Sequence, residues 1–443
     1  MNPELRRNVW LELPLHRVLR AAAVIGLIFF CTSMVELRIN PKSLQNTAAA
    51  ALSIGAMILV FFGMRSASTA VSSEIQGRTW DFQRMSSLGA WSMTWGKLIG
   101  STSYALLCLA ICSVVFLLAS AYQHGIVEAM RSLALYLVFA ALALSFAFVA
   151  GLSSISGSSI LRLSGGAGVS IIGGGLVCLL AALSTAKGSR YTHEISWYGM
   201  SVDAYRFILA SLFVFCGWCV LGSYRLIRVE LQLTTIPWVW GLFVIFGMIY
   251  TSGLVKNLPV IFDSLSIKKE LLVASFVALA TLYYSIFNES KSVVNLRRLK
   301  ERLTAEKFVE VLQLTPRWCV SLALYAITCM TLALFLIVDL ADATHKGLLL
   351  FLISLSLFVM RDIGIVMFLG YGPRGRRAPE SFALLLIALL YTIIPAMFCV
   401  LSSSAFVMFY PIADPSYVLA LLFSLIQAVV VWFSVYIRLR SEI

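Results

Sequence analysis

Four histidines, nine cysteines and a sparse set of carboxylates are the residues of this 443-residue chain that could hold a metal, form a nucleophile or move a proton. His16, His124, His193 and His345 fall in loops at the ends of apolar stretches, on two different sides, so no metal or acid–base cluster assembles from them. The cysteines all lie inside apolar stretches and read as small core residues. Cys216-Gly217-Trp218-Cys219 has redox spacing, yet no basic group stands beside it to stabilise a thiolate. Arg361 and Asp362 are the clear ionisable residues within an apolar run. Charge at that depth is expensive and often functional, but side chains at i and i+1 of a helix are not expected to face each other, so each would pair with other helices. No Gly-x-x-x-x-Gly-Lys-Ser/Thr segment offers a cradle for nucleotide phosphates. These residues point away from an enzyme, with no catalytic, metal or cofactor-binding set in the chain.

The elements that must position these residues are membrane helices. The chain is 60% hydrophobic and 12% charged, with a mean hydropathy of +0.91, far more apolar than soluble domains. Apolar runs long enough to cross a bilayer recur at 18–36, 47–65, 97–119, 131–151, 168–184, 206–223, 237–255, 270–288, 317–340, 347–369, 382–401 and 417–437. This predicts an all-α polytopic protein of about twelve spans. The run at 168–184 is short and rich in glycine, which leaves the count open by one there. The net charge of +13 is spread over short loops, which fits a membrane face better than nucleic acid. With the N-terminus inside, most of the 34 basic residues fall on the cytoplasmic side, so both termini are expected there. No cleavable signal pattern stands at the start.

The runs fall into two sets in step with each other, residues 1–230 and 231–443, which reads as an internal duplication into two halves of about six spans. Each half carries its longest cytoplasmic connection after its second span, at 66–96 and 289–316, and ends on a basic segment, Tyr224 to Arg228 and Tyr436 to Arg440. An even number of spans per half inserts both copies in one orientation, favouring a path between them. The last outer connections, 185–205 and 402–416, are unusually apolar, with Trp197, Tyr198, Phe406, Phe409 and Tyr410.

The first long connection runs from Ser73 to Lys97, and at helical spacing its Phe82, Met85 and Leu88 share a face with Asp81 and Arg84 beside it. An amphipathic helix between spans that bears large apolar residues marks a contact surface. Glu74, Gly77, Thr79, Trp80, Asp81, Trp91, Gly96 and Lys97 resemble a motif of the type 2 ATP-binding-cassette permeases: an acid, Gly-Thr, an apolar residue and an acid, a short helix, then an aromatic and Gly-Lys entering the third span. Two departures stand out, Arg78 between Gly77 and Thr79, and Ser86-Ser87-Leu88 where that family carries Thr-Pro. In the second half Leu296, Leu299 and Leu303 line a basic helix, and Phe308, Pro316 and Trp318 belong to a degenerate copy of the same element. The N-terminal segment Asn2 to Pro14, with Leu5, Val9 and Leu13 at helical spacing and Trp10 at headgroup level, is similar to that family's interfacial helix.

The resemblance implies a permease of the bacterial inner membrane, of the branch with two fused halves, whose cytoplasmic coupling helices meet a separate ATPase subunit acting as a dimer. ATP would be bound by that subunit. Glu74, Gly77, Trp80, Asp81, Phe82, Met85, Leu88, Trp91, Phe308, Pro316 and Trp318 become the coupling residues, with Trp80, Asp81, Phe82 and Trp91 as the main contact. By the same resemblance 185–205 and 402–416 are re-entrant half-helices; short surface loops with aromatic anchors are the equal alternative. The transported substrate is not legible. The rival class is an ion-driven secondary transporter of two pseudo-symmetric halves, for which Arg361 and Asp362 would be the intramembrane site.

Overall fold

A computed structural model of the chain describes residues 2–39, 43–86, 88–156, 194–233, 235, 237–255, 269–289, 291, 293–338, 343–371, 379–401, 409–410 and 417–442. Among them nine helices are long and apolar enough to cross a membrane, and two shorter apolar helices accompany these. The chain is thus an α-helical, multi-pass protein. The expected span at 168–184 lies outside the described residues.

Contacts divide the chain into two compact units, residues 1–156, 161–195 and 202–235 in one, and 157–160, 196–201 and 236–443 in the other. The first unit opens with α1 (Pro3–Glu12), capped by the Asn2 side chain on the Glu4 amide. The crossing helices α2 (Leu15–Ile39) and α3 (Gln45–Thr69) follow. Glu36 near the end of α2 accepts from the Asn46 and Thr47 amides at 2.7 and 2.8 Å, satisfying two orphan donors at the start of α3. A π-helical turn, Leu59–Met64, interrupts α3. Three short helices come next, α4 (Ser72–Gln76), α5 (Trp80–Arg84) and α6 (Ala90–Ser101). The crossing helices α7 (Ser103–His124), α8 (Ile126–Ser156) and α9 (Ala204–Glu230) complete the unit. The expected third span at 97–119 is therefore displaced: the helix breaks at Thr102, so Lys97 belongs to α6 and the crossing helix begins after it. Leu59, Met64, Met93, Phe148, Leu152 and Ile227 form one core, and Ile25, Phe29, Cys112 and Phe116 another. On α2 the outward Val24, Leu27 and Phe30 are exposed, as suits a lipid solvent.

Residues 194–203, within the stretch expected as a re-entrant half-helix, form instead a two-stranded hairpin, β1 (Glu194–Trp197) and β2 (Met200–Asp203). Tyr198 and Gly199 both take positive φ, 49° and 85°, the geometry of a two-residue primed turn. Of the matching stretch 402–416 only Phe409 and Tyr410 are described.

The second unit holds α10 (Trp238–Gly253), α11 (Lys269–Asn288), α12 (Val293–Thr304), α13 (Phe308–Leu314), α14 (Arg317–Val338), α15 (Ala343–Gly370), α16 (Pro379–Tyr391), α17 (Ile393–Leu401) and α18 (Tyr417–Glu442). At 16 residues α10 falls short of a full crossing. The expected span 382–401 is broken at Thr392 into α16 and α17. Pro395 explains the break, since its ring displaces the carbonyl four residues back, that of Tyr391. The freed carbonyl accepts from the Tyr410 hydroxyl. Leu282, Ile286, Tyr325, Val359, Ile363 and Val366 form the main core here.

Candidate functional site

The connection between α3 and α6 is built on buried charge. Lys97 is 1% exposed, and its Nζ donates to Glu4 Oε1 at 3.0 Å and to Glu74 Oε2. Arg7 Nη2 reaches Glu74 Oε1 at 2.5 Å and Glu4 Oε1 at 3.0 Å, and the Lys97 ammonium stands 5.2 Å from the centre of the Trp80 ring. Two cations, two carboxylates and an indole therefore tie α1, α4, α5 and α6 together. Burial on its own would push Glu74 up, but hydrogen bonds and the Lys97 charge outweigh it and hold the carboxyl below the ordinary value of 4.5. The close approach of α1 to α6 needs glycine: a Cβ at Gly96 or Gly100 would come within 2.8 Å of Glu4 and 2.6 Å of Asn8. Asn2 and Asn8 then donate to the Ser92 and Gly96 carbonyls at 2.5 and 3.3 Å.

The motif residues divide between the two sides of this cluster. Trp80, expected on the outer contact surface, is buried beneath Lys97 and faces inward. Phe82 and Met85 are 74% and 77% exposed, and Asp81 stands beside them with Arg84 3.7 Å away. The expected shared face of Phe82, Met85 and Leu88 does not extend as one helix: α5 is a single turn, ended when the Ser86 amide and hydroxyl take the Gln83 carbonyl. Leu88 turns back onto the core as a result. Trp91 is half exposed, its edge against Trp95 and Tyr224 at centroid distances of 5.8 and 5.2 Å. Gly77 ends α4, and the inserted Arg78 takes the left-handed conformation, φ 55°, that turns the chain into α5.

The second-half loop is arranged differently. Trp318 packs against the core, its amide donating to Glu289 Oε2 at 3.4 Å, and Pro316 stands at the entrance to α14. Phe308 alone of the three singled-out residues is exposed.

The other cluster lies inside the second unit. Contrary to the i, i+1 expectation, Arg361 and Asp362 pair with each other: Nε and Nη2 of Arg361 donate to Asp362 Oδ1 at 3.0 and 2.8 Å. The arginine side chain is long enough to curl back along α15, which a rule about helix faces does not consider. Tyr283 of α11 and Tyr391 of α16 donate to Asp362 Oδ2 at 2.7 and 3.0 Å. Gln427 of α18 accepts from Arg361 Nη1 at 2.6 Å, and the guanidinium lies 5.0 Å from the Tyr391 ring. Both charges are buried and satisfied by groups from four helices.

Glu4, Arg7, Tyr283 and Gln427 carry no local signal of these roles, because their partners lie far along the chain. Among the described residues no group of three His, Cys, Asp or Glu converges as a metal site, and Cys31, Cys108, Cys112, Cys216, Cys219, Cys319 and Cys329 are free thiols. The chain matches no family model, no curated protein and no solved structure.

Proposed function

We propose that the chain is the transmembrane permease subunit of an ATP-driven exporter of the bacterial inner membrane, energised by a separate ATPase subunit acting as a dimer. Its two halves would flank the transport path in one orientation, with both termini cytoplasmic. The observation that carries this reading is the division of the 74–97 motif. Glu74, Trp80 and Lys97 are locked into a buried ion cluster, while Asp81, Phe82 and Met85 project from a single helical turn mounted on it. An exposed apolar tip on a rigid base suits a contact through which a partner moves the spans. A push on Phe82 would pass through Trp80 and Lys97 to α1 and α6 together.

Because Phe82 and Met85 are mostly exposed, Phe82→Ala with Met85→Ala leaves the core intact. The double variant should insert normally and either lose the ATPase subunit on purification or hydrolyse ATP without transport. The purified chain by itself should hydrolyse none. A double variant that transports and retains its ATPase like the parent would overturn the assignment.

The rival reading, an ion-driven transporter, leans on Arg361 and Asp362. Their side chains are engaged with each other, Gln427 and two tyrosines, an arrangement that favours a structural pin over an ion site.

A further inference from the structure

The connection between α11 and α14 leaves and re-enters the second unit at one point. Glu289, just past α11, accepts from the Trp318 amide at 3.4 Å and lies 3.9 Å from Arg317 Nε at the start of α14. Both flanking helices are long and apolar enough to cross a membrane. Helices α12 and α13 therefore stand at a bilayer face. In α12, Leu296, Leu299 and Leu303 share one side, and the helix carries four cations, Arg297, Arg298, Lys300 and Arg302, against one acid, Glu301. Val293 and Leu296 pack on the core of the unit, but the helix runs on past that support, and Leu303 is 55% exposed. At Glu306 the backbone turns through the left-handed region, φ 55°, and α13 presents Phe308, Val309 and Leu312 outward. The Glu310 carboxylate is held by Arg302 at 2.9 Å and Lys307 at 3.6 Å, which fixes α13 against the end of α12.

We propose that α12 and α13 form a docking surface for anionic lipid headgroups: Leu303, Phe308, Val309 and Leu312 enter the boundary between headgroups and acyl chains, and Arg298 and Lys300 bind phosphate oxygens. Exposed apolar side chains and a surplus of cations, on helices confined to a bilayer face, are what an interfacial segment requires. An acidic protein would use the cations but would have to cover apolar residues spread over two helices and a turn. The bilayer covers them without a dedicated groove. The proposal rests only on the chain spanning a membrane, so it stands or falls independently of ATP coupling.

The test uses the full chain in nanodiscs of phosphatidylcholine alone or mixed with phosphatidylglycerol, reading amide hydrogen exchange of peptides within 293–314. Exchange there should slow by on the order of tenfold in the anionic discs, and high salt should reverse the slowing. Arg298→Gln with Lys300→Gln should abolish the difference, whereas Arg298→Lys with Lys300→Arg should keep it; peptides of α15 report that each variant is folded. Equal exchange in the two discs, or a difference that survives the glutamine variant, overturns the proposal. Protection that arises only when an ATPase subunit is added also overturns it, and assigns the surface to a protein partner.

Discussion

Lys97 keeps its charge away from water because two carboxylates and an indole surround it, and each of those groups was recruited from a different helix. Lys97→Met would leave buried Glu4 with the half-exposed Arg7 as its cationic partner. Removing a partner from a buried charge costs at most about 3–5 kcal/mol, and with Arg7 in place less, so the variant should melt at lower temperature in detergent, and Glu4→Gln added to it should recover part of the loss. Glu74 sets the acid side of the same cluster. Its folded carboxyl lies below the ordinary value of 4.5, so its contribution is complete above that pH and disappears as pH falls through the lowered value. Thermal stability of the parent measured from pH 6 downward should fall in that acid range, and Glu74→Gln should flatten the fall. The sequence singled out Glu74 and Lys97 as motif residues but not as partners, and Glu4 stands 93 positions from Lys97, where nothing local to an N-terminal glutamate announces such a partner. The reverse happened at Arg361 and Asp362, where a sound rule for helix faces missed the reach of a flexible arginine.

At the level of elements, α1 is held as much by absent side chains as by ion pairs. Gly100 lets Asn8 approach α6, and a branched side chain there would meet the Asn8 Cβ. Gly100→Val should lift α1 from α6, so that trypsin cuts after Arg7 or Arg17 in folded protein at least several-fold faster than in the parent. Ser92→Ala, which leaves the accepting carbonyl in place, should not. Apolar runs made most of the crossing helices legible, because a bilayer demands length and hydrophobicity before anything else. Their interruptions were harder to see. Thr102 breaks a run without any proline, and the gap between α16 and α17 was set by Pro395, whose effect falls one turn back, at Tyr391. The hairpin at 194–203 escaped notice because its turn places a tyrosine, not the usual asparagine or aspartate, ahead of Gly199.

For the whole molecule, contacts divide the chain near residue 235, with residues 157–160 and 196–201 counted in the second unit. If the proposed function holds, native mass measurement of the assembled transporter should give one copy of this chain with two ATPase subunits; two copies of this chain around one path would reject the arrangement. The spacing of apolar runs suggests two halves in the sequence, whereas the different burial of the two long connections was hidden, since it depends on which faces each short helix buries. The hairpin tip carries a further consequence. Residues 196–201 pack with the second unit: the Tyr198 amide donates to the Gly253 carbonyl at 3.0 Å, its hydroxyl to Ile249 at 2.9 Å, and the Trp197 ring fills the space that a side chain at Gly253 would need. Residues 196–201 thus precede the division near 235 in sequence yet belong to the second unit. A C-terminal fragment begun at 236 would lack them, leaving the carbonyls of Ile249 and Gly253 without these donors and an aromatic seat on α10 empty.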